Sequence, residues 1–120
     1  MKRSDIQPLP EYFDRYINLA EDIELIDALQ RSRDDLDKLP VDKWNAIGDK
    51  VYAPGKWTVK DIVQHITDTE RIFSYRALRF ARNDSTRLPG FEENDFAREA
   101  NATQRSLTDL IDELKLVRQS

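Results

Sequence analysis

Between Phe96 and Val117, seven residues (Phe96, Ala100, Thr103, Leu107, Leu110, Leu114, Val117) recur at alternating steps of four and three. Those steps return each residue to one side of an α-helix but scatter them over both faces of a strand. The same rhythm links Leu25, Leu29, Ser32, Leu36 and Leu39, and Pro40 closes it, since proline cannot continue a helix. Glycine is limited to 3 residues and proline to 5, and they stand outside the strongest periodicities. Ahead of the first seam, EYFDRYINLA reads as a short amphipathic helix of two or three turns, preceded by a flexible lead-in over residues 1–10. VDKWNAIG is a turn of helix ended by Gly48, and Pro54-Gly55 fits a tight turn. Thr58 with Asp61 three residues on predicts a helix start, and that helix is expected from Val59 to about Asn83. A last helix is expected without interruption from near Asn94 almost to the end. No segment reads as a strand. The prediction is an all-α antiparallel bundle in one domain over residues 1–120, with three long helices and a short N-terminal one.

Composition narrows the function. The net charge is −4, which disfavours nucleic acid and acidic membranes as partners, because neutralising phosphates needs a basic excess. There is no cysteine, hence no disulfide, thiolate nucleophile or thiolate metal site. No apolar stretch approaches the roughly 18 residues of a membrane span, and MKRSDIQPLP has no apolar run of the secretory kind. A soluble, cytoplasmic protein is expected.

The single histidine, His65, falls in the middle of the strongest helix. At about 100° per residue, Val59, Ile62, Ile66, Phe73, Ala77 and Phe80 form one stripe, expected to face the core. Gln64, Asp68, Arg71 and Tyr75 collect on the opposite side, expected to face water. His65 comes out on the shoulder of the stripe, turned inward, and Asp61 one turn earlier shares that shoulder. Two readings follow. His65 is a core residue whose ring nitrogens bind a backbone carbonyl or Asp61, or it is a metal ligand projecting into the bundle, with Asp61 as a weak partner. A catalytic zinc needs about three protein ligands, and no second histidine exists.

Arg76 also points inward on the wheel, close to His65, where a guanidinium suits the anionic group of a small-molecule substrate. The remaining arginines of the segment from Arg71 to Arg87 read as solvated or structural cations gathered near a helix C-terminus. Ser74 and Ser85 lack the surroundings of a catalytic serine, and no phosphate-binding glycine pattern is present.

YAPGKWTVKDIVQHITDTERIFSYRALRFARND, followed by LPGFEENDF, strongly resembles the DinB superfamily, in particular its YfiT-like metal-dependent hydrolase branch. The resemblance implies a four-helix bundle holding a divalent metal, zinc or nickel, on three histidines. One of these comes from the helix after the PGKW turn, and His65 matches it. The other two come from a fourth helix, four residues apart. Members are metal-dependent hydrolases or transferases acting on low-molecular-weight thiols. This chain departs from that pattern, since only His65 carries over and the sequence ends in what should be the third main helix. The expectation is therefore an incomplete metal site, inactive in this chain alone. The uncovered apolar faces are expected to be closed by association of two chains, a homodimer. A helical oligomer without metal chemistry is the alternative.

Overall fold

The computed structural model describes residues 1–120. The protein is all-α, as predicted, with six α-helices, short 3-10 turns and no strand. The chain divides into two compact units, Met1–Leu39 and Pro40–Ser120.

The first unit contains a 3-10 turn at Arg3–Asp5, α1 (Asp14–Ile17), α2 (Leu25–Asp35) and a 3-10 turn at Leu36–Lys38. The lead-in is tied down by polar contacts. The Met1 ammonium meets Glu24 at 2.6 Å, the Leu25 N–H donates to the Met1 carbonyl, and the Ser4 N–H donates to Asp22. The aromatic-rich helix is a single turn, shorter than expected, and Tyr12, the residue before its N-cap Phe13, takes a positive φ of 71° that a helix cannot extend through. No residue of this unit is buried.

The second unit opens with α3 (Val41–Ile47), which Gly48 ends at φ 60°. Ala53–Lys56 forms a hydrogen-bonded turn with Pro54 and Gly55 at its centre, Gly55 at φ 76°. That is type II geometry, with proline and glycine where it requires them. α4 (Val59–Ala81) starts on a reciprocal cap: Thr58 Oγ1 accepts from the Asp61 N–H, and the Asp61 carboxylate accepts from the Thr58 N–H.

The predicted long last helix is two helices, α5 (Glu93–Ala100) and α6 (Leu107–Gln119). Asn101 adopts the left-handed conformation that ends the first, a 3-10 turn follows at Ala102–Gln104, and Ser106 starts the second by accepting from the Asp109 N–H. The break lets Ala102 sit fully buried.

α6 packs along α4 and buries Leu107, Leu110, Ile111 and Leu114. The side of α4 buried in the fold is not the predicted stripe. Val63, Gln64 and Thr67 are buried, whereas Ile62, Ile66, Phe73 and Phe80 are 41–68% exposed. Two polar residues are acceptable inside because both are hydrogen-bonded. Thr67 Oγ1 donates to the Val63 carbonyl, and the Gln64 amide donates to Asp68 and accepts from Arg105.

Candidate functional site

The Pro54-Gly55 turn brings the chain back to the start of α4 and sets Trp57 just ahead of the Thr58 cap. The Trp57 and His65 rings lie against each other with centroids 4.9 Å apart at 48°. This contact holds the imidazole half-buried, between the core position and the solvent position that the wheel separates. Neither ring nitrogen hydrogen-bonds to another protein group, so the expected satisfaction by a carbonyl or by Asp61 is not formed.

Asp61 is engaged elsewhere. Its Oδ2 accepts from both the Thr58 N–H and the Thr58 hydroxyl at 2.9 Å, which makes it a capping residue of α4. It lines, with Trp57, a cavity of about 410 Å³ against Asn94, Ala97 and the turn at Ala102, and His65 does not line that cavity. The donor set does not fit a catalytic cation on this chain alone. No group of three His, Cys, Asp or Glu side chains converges anywhere in it, and about three are needed.

Arg76 is on α4 as well, but not close to His65 as the wheel suggests. From residue 65 to residue 76 the helix rises about 16 Å, which the angular projection conceals. The Arg76 guanidinium lies over the Phe73 ring, 5.7 Å from its centroid, and donates through Nη2 to the Pro89 carbonyl at 3.0 Å. It pairs with no carboxylate.

The ion cluster at the middle of the α4–α6 contact is not evident from sequence. Glu113 accepts from Arg71 at 2.8 Å and from Arg105 at 2.5 Å. Those two guanidiniums, Arg105 foremost, hold the Glu113 carboxyl below its ordinary range in spite of partial burial. The partners are more than forty residues apart along the chain in one case, so no local pattern announces them. Farther along, the backbone and hydroxyl of Thr86, followed by Arg79, pull the Asp84 carboxyl down to about 2. That arrangement secures the exit from α4, where Asn83 turns through φ 56°.

No helix is long and apolar enough to cross a membrane. No curated protein and no solved structure matches the chain significantly. The sequence profile of the DinB superfamily matches residues 24–120, from the residue before α2 to the C-terminus, across the capped α4 that carries His65. With most of its length matched and an all-helical fold, the chain belongs to the DinB superfamily.

Proposed function

We propose that the chain is a DinB-type module of the metal-dependent hydrolase or thiol-transferase kind, in which His65 supplies one imidazole donor to a zinc or nickel ion. The chain contains no other histidine and no cysteine, and no three potential ligands converge within it, so this chain supplies only part of the donor set. The observation that carries this reading is the state of His65: half-buried, steadied by Trp57, and with both ring nitrogens free of protein hydrogen bonds. Ring nitrogens that no protein group occupies and that are not sealed from solvent are available to an ion. Bound, the ion would act as a Lewis acid on water or a thiol; the part that belongs to this chain is holding the imidazole in place.

Metal analysis of the purified protein after equilibration with zinc or nickel tests it. The expected result is less than one equivalent per chain, lost in His65→Ala. No metal bound by the parent protein, or equal metal in the parent and in His65→Ala, overturns the reading.

A second reading, a helical homodimer without metal chemistry, is favoured by a different observation. Ile62, Ile66, Phe73 and Phe80 are exposed on one side of α4, and soluble monomers rarely leave large apolar patches uncovered. Sedimentation decides it: a folded monomer at micromolar concentration removes this reading, and a dimer broken by Phe73→Ser supports it.

A further inference from the structure

Near the C-terminal third of α4, the Leu88–Phe91 segment returns across the helix and forms with it an open-sided cavity of about 350 Å³. That volume falls within the range of small-molecule sites, about 300–1,000 Å³. Its walls are apolar: Ile72 from α4, Leu88 and Phe91 from the returning segment, and Phe96 from α5, with the Phe91 and Phe96 rings 5.0 Å apart. The two cations on its lining differ in their engagement. Arg71 is committed to Glu113, while Arg76 uses one of its five N–H donors on the Pro89 carbonyl and has no carboxylate partner. No acidic residue lines the cavity.

We propose that this cavity is a binding site for a small organic carboxylate with an aromatic or aliphatic body, its carboxylate on Arg76 and its body against Leu88, Phe91 and Phe96. A guanidinium matches a carboxylate in shape and in donor spacing, and a partly enclosed apolar wall strengthens the pair. Arg76 is already held by Pro89 and Phe73, so little ordering remains to be done on binding. The assignment does not rest on metal at His65, which is about 16 Å away along the helix axis.

The test uses 3-phenylpropanoate and its uncharged counterpart 3-phenylpropan-1-ol, titrated into the full chain and followed by amide chemical shifts. Saturable shifts at Gly90 and Phe91 are expected with the acid, and the alcohol should bind at least about tenfold more weakly. Arg76→Gln should weaken the acid at least about tenfold and leave the alcohol unchanged, while Arg82→Gln just past the end of that helix changes neither. Phe91→Ala should weaken both probes, and it keeps the test usable if Arg76→Gln does not fold. Equal affinity for acid and alcohol, an unaffected Arg76→Gln, or no saturation by the acid below about 10 mM would each overturn the proposal.

Discussion

The units Met1–Leu39 and Pro40–Ser120 are written in the same apolar rhythm and end in different physical states. In the second, α4, α6 and the turn at Ala102 close around Val63, Leu107, Leu110, Ile111 and Leu114, each at most 3% exposed. In the first, Leu25 and Leu29 occupy equally regular positions and stay 46% and 47% exposed. What holds that unit is polar: the Met1 ammonium on Glu24, Ser4 on Asp22, and Arg31 on Glu21 at 2.6 Å. A helical seam specifies a face but not its burial. Burial needs a second surface of matching shape, and exposed ion pairs are a weak substitute, each worth about 0–1 kcal/mol.

The comparison is broken or sharpened most directly by truncating one leucine in each unit. Leu110→Ala should lower the unfolding free energy of the second unit by about 2–5 kcal/mol, since it empties a packed position. Leu29→Ala should cost no more than about 1.5 kcal/mol, because roughly half of that side chain is already in water. Denaturant titration of both variants checks this, and equal losses would erase the distinction.

A smaller effect is expected at the ion cluster. The folded Glu113 carboxyl titrates below its unfolded value, so its contribution is present above the ordinary carboxylate range and disappears as pH falls through the depressed value. Glu113→Gln should therefore cost about 1 kcal/mol at neutral pH, solvent screening included, and nothing in strong acid. Thermal unfolding of parent and variant between neutral and acidic pH reads the difference; a gap independent of pH would mean that the pairing with Arg105 and Arg71 contributes nothing electrostatic.

The smallest effect belongs to the first unit. Glu24 raises the pKa of the Met1 amine, first by hydrogen bonding and then by charge. That contribution is full below the unfolded value of the amine and is lost as pH rises through the folded one. Glu24→Gln should speed hydrogen exchange at the Leu25 amide, which donates to the Met1 carbonyl, while the amides of α6 stay protected. Unchanged exchange at Leu25 would show that something other than the terminal ion pair holds this unit together.

Much of the local structure was legible. The Thr58–Asp61 cap, the stop at Gly48 and the Pro54-Gly55 turn were all readable, because each is decided by a few adjacent residues. The interruption between α5 and α6 is also encoded locally, by Asn101 and by Ser106 with Asp109. The run of fours and threes masks it, since that rhythm continues in phase across the break. The candidate site was legible in part. His65 is conspicuous as the only imidazole, but its contact with Trp57 depends on how the preceding turn folds back, and the capping role of Asp61 competes with any role at His65. Arg76 and His65 share an angular sector on the wheel and are separated by axial rise, a coordinate that the wheel discards.

The sequence by itself determined that the chain is helical, where several of its helices start and stop, and that it has one imidazole and no thiol to offer a metal. Those are matters of periodicity, capping and composition, each local or a simple count. Which side of α4 is buried was decided only by the tertiary structure. Gln64 and Thr67 can leave water because Asp68, Arg105 and the Val63 carbonyl meet their polar atoms, and Arg105 reaches Gln64 from 41 residues away. Hydropathy assigns a polar side chain to the solvent; a completed set of hydrogen bonds removes the cost of taking it inside, and that set exists only once the helices have packed.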